Sequence, residues 1–421
     1  MRCTPDLQGG AVTVLAAFAL CASAAGQPRA LRYEVIDLGT LGGETANAIE
    51  MNNLGHAAGI AEEGEFNAPT AFLWRDGVIE SLGSLNSFNT GSSARGVNDH
   101  AEACGWALAP DPTIPNALSS RPFFWSQATG IIDISPSPDA PGIGSAEAIN
   151  NLGVAVGDWR GEAFRWTTAE GMALLPKLPG ALFPSSQAQA INDAGLIVGQ
   201  TWTATALAPA AWPLEGGVIE LPTVGGRGGW ARGVNEQGVI VGESQDPTGR
   251  NQPTIWIDGQ AIDLGLLPDP LLDNGSAEAI NERGDIVGWD ASISANGVPQ
   301  QGWVRPAGAA KVRLNDVIID PDGIWDIRVP LDINDAGQIV GIAVKLDELG
   351  NEIPGVAFLL TPIGAQPDLN GDGVVNGADL GALLGAWGAC PGAICAADLN
   401  ADGVIELPTV GGRGGWARGV N

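Results

Sequence analysis

The chain has 421 residues, of which 48 are acidic and 20 are basic, and its formal net charge is −28. Charged residues make up 16% of the chain and hydrophobic residues 45%, a balance typical of a protein with a folded core and not of a disordered acidic chain. The negative charge disfavours nucleic acid and anionic membranes as partners and favours cations.

The amino terminus has the pattern of a secretory signal peptide. Arg2 provides a basic start, residues 11–19 form an apolar run, and residues 22–24 (Ala-Ser-Ala) are typical of a cleavage site. No later stretch is apolar over the length that a membrane span requires. We therefore expect residues 1–26 to be a signal peptide, the mature protein to be secreted and extracellular, and no membrane insertion.

Downstream of the signal, one pattern recurs seven times: an Asn is followed by a Gly seven residues later. Successive Asn residues lie 42 to 53 positions apart, so a fixed inner spacing recurs within a variable outer spacing. This indicates one structural unit copied seven times with loops of different length. The pairs are Asn52/Gly59, Asn98/Gly105, Asn150/Gly157, Asn192/Gly199, Asn235/Gly242, Asn281/Gly288 and Asn334/Gly341.

Each unit contains the signals for four short strands. Six of the seven Asn residues have a Gly three positions later, which is typical of a tight turn, and the second copy has Ala101 there. Alternating runs flank this turn, a third run ends in a Phe-x-Trp-like signature, and a fourth ends in an Asp-Leu-Gly-like step. Four strands in about 45 residues is the size of a β-propeller blade. The third-strand Trp residues, expected in the core, are Trp74, Trp125, Trp166, Trp212, Trp256 and Trp303, with Leu360 in copy seven.

The two ends of the repeat region complement each other. Copy seven lacks a fourth strand, whereas residues 33–39 form an unpaired fourth strand at the start. If this strand completes the last blade the ring closes, whereas an open solenoid would leave two exposed edges. We therefore predict an all-β fold over residues 28–361, a seven-bladed β-propeller closed by the N-terminal strand, with a solenoid as the alternative.

The repeat is also similar to a known family. The pattern Ala-x-Ala-Ile-Asn-x-x-Gly-x-x-Val-Gly with a downstream Ala-Phe-x-Trp resembles the HAF family of extracellular repeats over about residues 33–361. This resemblance implies secretion, and it implies little about biochemical activity.

Little in the repeats points to catalysis. His56 and His100 occupy different positions in their units, so a Ser-His-Asp or Cys-His arrangement is poorly supported. Cys104 occupies a slot that is Val in other copies, which predicts a core residue. The many acidic residues leave a carboxylate pair for glycoside hydrolysis open, but the sequence singles out no pair.

A second set of Trp residues lies outside the core signature. Four of them follow the second Gly of their unit by one to three positions, and two lie just before the first strand. In a propeller the adjoining loops emerge on one face, where aromatic rings suit stacking on sugars or on a partner surface. The alternative is that these rings pack between blades. The candidate ligand-binding face consists of Trp106, Trp159, Trp202, Trp230, Trp289 and Trp325.

After a linker at residues 362–367, the chain carries a calcium-loop pattern. Oxygen donors fall at positions 1, 3, 5 and 12 of a loop that starts at Asp368, with Gly at position 6 and an aliphatic residue at position 8. A second loop begins in the same way at Asp398 and then departs, with Thr409 at position 12. The expected Ca²⁺ ligands are Asp368, Asn370, Asp372 and Asp379, with a weaker second set at Asp398, Asn400 and Asp402.

Residues 368–402 resemble a type I dockerin whose second repeat is truncated. That family binds cohesin domains in a Ca²⁺-dependent way, which implies a small loop-helix module and a cohesin-like partner. Cys390 and Cys395 lie close together and could form a disulfide in an oxidising compartment. Residues 403–421 repeat residues 217–235 without one change. We attribute this copy to a recombination or an assembly join and expect it to be disordered or loosely attached.

These patterns favour one function and leave two alternatives. We expect a secreted, non-catalytic β-propeller that binds polysaccharide or another extracellular protein and carries a Ca²⁺-binding tail. The alternatives are an extracellular polysaccharide-degrading enzyme and a purely structural surface protein. Saturable binding without turnover supports the first function, glycan cleavage the second, and an absence of binding the third.

Overall fold

The computed structural model describes residues 31–363, except for 65–67, 87–90, 138, 140–141, 184 and 295–297. Residues Arg32–Pro362 form one compact unit, which consists of seven β-sheets. The predicted signal peptide, calcium loops, Cys390–Cys395 pair and duplicated tail lie outside the described residues.

Six of the sheets are four-stranded antiparallel blades in which neighbours in sequence are neighbours in space. The strand that completes blade seven precedes them in the chain and is β1 (Tyr33–Asp37). Blade one contains β2 (Gly42–Met51), β3 (Ala57–Glu63), β4 (Ala68–Arg75) and β5 (Val78–Gly83). Blade two contains β6 (Ser92–Val97), β7 (Ala103–Pro110), β8 (Leu118–Ser126) and β9 (Gly130–Asp133). Blade three contains β10 (Gly144–Ile149), β11 (Ala155–Trp159), β12 (Glu162–Thr167) and β13 (Gly171–Leu174).

The next three blades repeat this order. Blade four contains β14 (Ser186–Ile191), β15 (Ile197–Trp202), β16 (Leu207–Trp212) and β17 (Ile219–Glu220). Blade five contains β18 (Gly229–Val234), β19 (Ile240–Gln245), β20 (Asn251–Ile257) and β21 (Gln260–Asp263). Blade six contains β22 (Asn274–Ile280), β23 (Ile286–Ala291), β24 (Gln301–Arg305) and β25 (Val312–Arg313).

Blade seven confirms the predicted closure. A 3₁₀ turn at Leu314–Asp316 and the two-residue strand β26 (Ile318–Ile319) lead into β27 (Trp325–Ile333), β28 (Ile339–Leu346) and β29 (Glu352–Pro362). The N-terminal strand β1 then pairs antiparallel with β29, and β26 pairs in parallel with the outer edge of β1. The start and the end of the propeller are therefore joined by the hydrogen bonds of one sheet, and the described chain is an all-β, seven-bladed propeller.

Glycine is required at the two repeated positions for different structural reasons. The first lies in the turn between the first and second strands with φ between 72° and 83°, which a residue with a Cβ rarely adopts, and Ala101 has φ 58° at the same place. At the second Gly, a Cβ atom would lie 2.0–2.1 Å from the carbonyl oxygen five residues before the Asn. The first and second strands approach too closely for any side chain there.

The hydrophobic core lies between neighbouring blades. One cluster joins Phe72 of blade one to Val340 and Leu359 of blade seven, and similar clusters join most other neighbouring blades. Four of the third-strand Trp residues are buried, as is Leu360, while Trp74 and Trp125 are half-buried against the same clusters. Cys104 is fully buried, as predicted, and burial raises the pKa of its thiol well above the usual value.

Candidate functional site

The repeated Asn residues form a closed hydrogen-bonded ring, which we call the Asn ring. The Nδ2 of each Asn donates to the backbone carbonyl oxygen of the Asn in the next blade at 2.8–3.3 Å, and the last bond runs from Asn334 to Asn52. Each Oδ1 accepts the backbone N–H four residues later at 2.8–3.0 Å. All seven side chains are buried. Each Asn therefore holds its own turn and binds it to the next blade.

A second ring, the acceptor ring, lies one residue further along. The backbone N–H of each of its members donates to the side-chain oxygen of the equivalent residue in the next blade at 2.7–2.9 Å. Its members are Asn53, Asp99, Asn151, Asp193, Glu236, Glu282 and Asp335. This ring was not foreseen from the sequence, although the signal is visible there: the residue after the repeated Asn always carries a side-chain oxygen.

The first strand of every blade contains a β-bulge at the same place. The register with the second strand shifts by one residue at the third position before the Asn, and this extra residue bends the strand. All seven bulged residues line one central cavity of about 390 Å³, so the first strands are the innermost strands of the propeller. The bulged residues are Ile49, Arg95, Glu147, Gln189, Arg232, Glu278 and Leu331.

The wall of this central cavity has two unlike halves. Blades seven and one contribute the aliphatic side chains Leu331, Ile342, Ile49 and Ile60, together with Asn47, Glu50 and Asp332. Blades two to six contribute Arg95, Trp106, Glu147, Gln189, Arg232 and Glu278. An apolar wall facing polar and aromatic groups suits a small ligand with one apolar face and hydroxyl groups at its edges.

One cluster in the polar half is preorganised. The guanidinium of Arg232 lies 3.4 Å from the Glu243 carboxylate and 3.8 Å from that of Glu278, and it stacks over the Trp230 ring at 4.1 Å. The indole N–H of Trp289 donates to Glu278 Oε1 at 2.8 Å. These contacts hold the Glu278 and Arg232 side chains at the cavity wall before any ligand arrives.

Arg95 differs from Arg232 because no side chain is bound to it. Among the described residues, Arg95 makes no hydrogen bond and no ion pair, and its Nε is buried. Burial raises the pKa of the neighbouring Glu147, and the positive charge of Arg95 lowers that pKa in part. An unpaired guanidinium at a cavity wall is available to an oxygen acceptor of a ligand.

The apolar half contains two carboxyl groups, Glu50 and Asp332. Burial raises the pKa of Glu50 well above its usual value, and the charges of Asp332 and Glu147 raise it further. Burial also raises the pKa of Asp332 to about 6, against the opposing effect of hydrogen bonds from the Met51 and Ile333 N–H groups. Burial therefore holds the pKa of both acids above the usual range, and the negative charge of Asp332 adds to this effect at Glu50.

The six predicted face Trp residues do not form one exposed surface. Trp106 lines the central cavity, and Trp230 and Trp289 contact the side chains of Arg232 and Glu278, which line it. These three lie within strands, not in the loops where the sequence placed them. The structure therefore places Trp106 in the wall of the central cavity and Trp230 and Trp289 against charged side chains of that wall, and ligand binding by these three residues stays a prediction.

The other three Trp residues lie away from this cavity. Trp159 is buried in the core between blades two and three, and Arg121 stacks over its ring at 5.3 Å. Trp202 is half-buried at the end of β15 and packs edge-on against the exposed Phe183 at 4.9 Å. Trp325 is half-buried at the start of β27, with Lys345 over its ring at 4.9 Å. For Trp159 the structure favours packing between blades, the alternative to a binding face.

A second cavity of about 660 Å³ lies where blade seven meets blade one. Its wall includes the acidic residues Asp37, Glu44, Asp322, Asp347 and Glu348. The ammonium of Lys345 also lies in this wall, 2.9 Å from Asp37 Oδ2. This cavity lacks the seven-fold set of bulged residues, and the central cavity is the stronger candidate site.

The described residues contain no group of three or more His, Cys, Asp or Glu side chains that could hold a metal ion. The two predicted Ca²⁺ loops fall outside them and stay predictions. No helix in the described part of the chain is long and apolar enough to cross a membrane. His56 lies at the turn of blade one, where burial lowers the pKa of its ring, and it takes no part in the cavity wall.

Comparison with known proteins shows similarity of fold only. No family model matches the chain, and no curated protein matches it. Among solved structures, a gluconolactonase from Xanthomonas campestris is 9% identical with a TM-score of 0.37, covering 80% of this chain and 91% of that one. A PQQ-bound aldose sugar dehydrogenase from Streptomyces coelicolor is 10% identical with a TM-score of 0.35, covering 80% and 100%. A neuraminidase-like protein of influenza subtype N11 from a flat-faced bat is 11% identical with a TM-score of 0.33, covering 80% and 96%. Such distant similarity says nothing about activity or ligand.

Proposed function

We propose that this protein is a secreted, non-catalytic binding propeller that holds a saccharide unit of a polysaccharide in its central cavity. The observation that carries the proposal is the cavity wall, where Trp106, an unpaired Arg95 and a preorganised Glu278 face a wall of aliphatic side chains. Sugar rings present C–H faces that pack on apolar and aromatic groups, and hydroxyl groups that pair with charged ones. A volume of about 390 Å³ lies within the usual range of small-ligand sites.

The geometry favours a saccharide end over a protein surface as ligand. The candidate groups line an internal cavity and do not cover a broad exposed patch, whereas a protein partner needs an extensive flat or convex contact. An extracellular protein partner, the alternative ligand, therefore has weaker support from the site. The Ca²⁺-binding dockerin-like tail and the signal peptide belong to the same proposal, and both rest on the sequence pattern alone.

The test is glycan binding by the purified full chain on a broad panel of oligosaccharides, followed by calorimetry on the best ligand. We expect Trp106→Ala to weaken binding about tenfold, because loss of an aromatic contact and its buried area is worth about 1–2 kcal/mol. Trp202→Ala is the matched control, since Trp202 is also half-buried but packs against Phe183 away from the cavity. A blank panel from a folded protein, or equal losses in both variants, would refute the proposal.

A second candidate function is glycoside hydrolysis, and Glu50 with Asp332 is the observation that favours it. An acid with a strongly raised pKa, such as Glu50, and a second, hydrogen-bonded acid with a pKa of about 6, such as Asp332, are the kind of pair that such hydrolysis uses. The same oligosaccharide panel, assayed for new reducing ends, tests this function. Cleavage that Glu50→Gln and Asp332→Asn each abolish would make the protein an enzyme and replace the non-catalytic proposal.

A further inference from the structure

Blades one and seven differ from the other five blades in the residue that lies two positions before the repeated Asn. In the other five blades this residue is small: Gly96, Ala148, Ala190, Gly233 and Ala279. Blade one has Glu50 there and blade seven has Asp332. The two acids belong to one seam between blades, because the N–H of Met51 donates to Asp332 Oδ2 at 2.8 Å. Both line the central cavity.

The protein supplies no cation to this acid pair. Within the described residues, Glu50 makes neither a hydrogen bond nor an ion pair, and the Asp332 carboxylate receives only the two backbone N–H groups. The side chains beside them in the cavity wall are Ile49 and Leu331, which carry no charge. Of the two cavity arginines, Arg232 is engaged with Glu243 and Glu278. The cavity wall therefore has four carboxyl groups against two guanidinium groups.

Three residues of the same wall, Asn47, Arg95 and Arg232, each have a buried side-chain atom without a hydrogen-bond partner. Asn47 Oδ1 is buried and has no hydrogen-bond partner, and Asn47 belongs to the same strand as Glu50. Arg95 Nε on the next blade is likewise buried without a partner. Each of these side chains lies at the cavity wall with part of its hydrogen-bonding capacity unused.

We propose that the central cavity selects a saccharide that carries a protonated amine, with the ammonium group between the Glu50 and Asp332 carboxylates. This inference rests on the function proposed above and names its ligand class. An ammonium supplies both the missing charge and several donors. The sugar ring packs against the aliphatic wall, and a hydroxyl or ring oxygen accepts from Arg95. A metal ion is a poorer match, since no third ligand of the usual kind joins the pair among the described residues.

The proposal has a linked proton as its signature. Burial raises the pKa of both acids in the empty cavity, with Glu147 and Asp335 adding negative charge nearby and Arg95 partly balancing Glu147. An ammonium ligand favours the ionised carboxylates, so binding near the pKa of these acids releases protons. We therefore expect affinity for the ammonium form of the ligand to rise as pH increases through about 6, the pKa of Asp332, and to fall as the carboxyl groups become protonated.

The experiment is calorimetry on the full chain with the β-1,4-linked glucosamine disaccharide and, as a matched ligand, its N-acetylated form. At pH 6, where the ammonium form of the ligand predominates, we expect the free amine to bind at least about tenfold more tightly, the ratio that one pKa unit represents. Titrations at this pH in phosphate and in MES, which differ in ionisation enthalpy, should show a net release of protons. In Glu50→Gln and in Asp332→Asn this preference should shrink to about twofold or less. Asp193→Asn, in the acceptor ring and outside the cavity wall, should keep it.

The possible failures are distinguishable. If the N-acetylated disaccharide or neutral sugars bind as well as the free amine, the ammonium site is wrong and the proposed saccharide function stands. If no saccharide binds to the folded protein, the proposed function fails and this inference fails with it. If ethanolamine binds as tightly as the amino disaccharide, the pair recognises an amine without a sugar, and the saccharide part of the inference is overturned. Circular dichroism and thermal unfolding of each variant verify that it is folded.

Discussion

The Asn ring makes a stability prediction that can be worked out from one member. Asn192 donates from Nδ2 to the Asn235 carbonyl oxygen at 2.9 Å and accepts the Leu196 N–H on Oδ1 at 2.8 Å. Each hydrogen bond has a net value of about 0.5–1.5 kcal/mol. The Asn235 oxygen keeps a second donor, the N–H of Gly238 at 3.0 Å, so only the Leu196 N–H is left unpaired. We expect Asn192→Ala to lower the free energy of unfolding by about 2–3 kcal/mol.

The Asn192→Asp variant tests the donor role of the Asn192 side chain separately from its acceptor role. The carboxylate keeps the acceptor for Leu196 but has no hydrogen to offer the Asn235 carbonyl, and it places two oxygen atoms against each other. The protonated acid restores the donor, so its folded-state pKa lies above the unfolded value of about 4. The stability that this variant retains is therefore present at low pH and is lost as pH rises through the folded pKa.

The assay is urea unfolding of the full chain, followed by Trp fluorescence at pH 4.5 and pH 8. Asn351→Ala is the matched control, because the Asn351 amide also donates to a side chain, Asp347 Oδ2 at 2.8 Å, but at an exposed loop. We expect that control to change stability by less than about 0.5 kcal/mol. An Asn192→Ala cost no larger than the control would refute a stabilising ring, and a pH-independent Asn192→Asp cost would refute the donor role.

Three further predictions concern other parts of the chain. Burial raises the pKa of Asp332 to about 6 and also raises the pKa of Glu50. Protonation of these two acids therefore stabilises the fold below about pH 4, and this contribution is lost as pH rises through 6. Glu50→Gln should therefore flatten the fall in unfolding free energy between pH 4 and 7, and an unchanged slope would contradict the assignment. Lys311→Met leaves the fully buried Asp290 without its cation 3.2 Å away and should cost about 3 kcal/mol by urea unfolding, because breaking a buried pair is costly; a loss below 1 kcal/mol would count against it. Removing Ca²⁺ with a chelator should change the circular dichroism of residues 368–388 but not the propeller's unfolding midpoint, and a calorimetric Ca²⁺ titration of the full chain without heat would exclude this site.

The repeat and its closure were predictable because they depend on local rules. The Asn-x-x-Gly turn requires a residue that tolerates positive φ. The second Gly is required because a Cβ atom there would lie 2.0–2.1 Å from a carbonyl oxygen of the neighbouring strand. The second Gly is therefore present at the same spacing in all seven copies, and the first in six of them, with Ala101 in the second copy. The missing fourth strand of copy seven and the spare strand at residues 33–39 then predicted the pairing of β1 with β29.

The candidate site was only partly predictable from the sequence. The Trp residues were recognisable as a set, but their destinations depend on the direction of each side chain within its strand. Trp106 and Trp159 occupy similar places in their repeats, yet Trp106 lines the central cavity while Trp159 lies in the core between blades. One residue of displacement reverses the side of a strand on which a side chain lies.

The sequence by itself determined the number of blades, the turn chemistry and the strand that closes the ring, since each follows from spacing and from residues with few conformational substitutes. The tertiary structure alone decided which side chains face the axis. The bulged residues from Ile49 to Leu331 are separated by up to 282 positions and have no residue type common to all seven. Each lies three positions before its repeated Asn, but this spacing alone does not show which way the side chain points. They form one wall because seven bulged strands converge on a common axis, and the acid pair at Glu50 and Asp332 faces that cavity because the first and last blades are neighbours only in the closed ring.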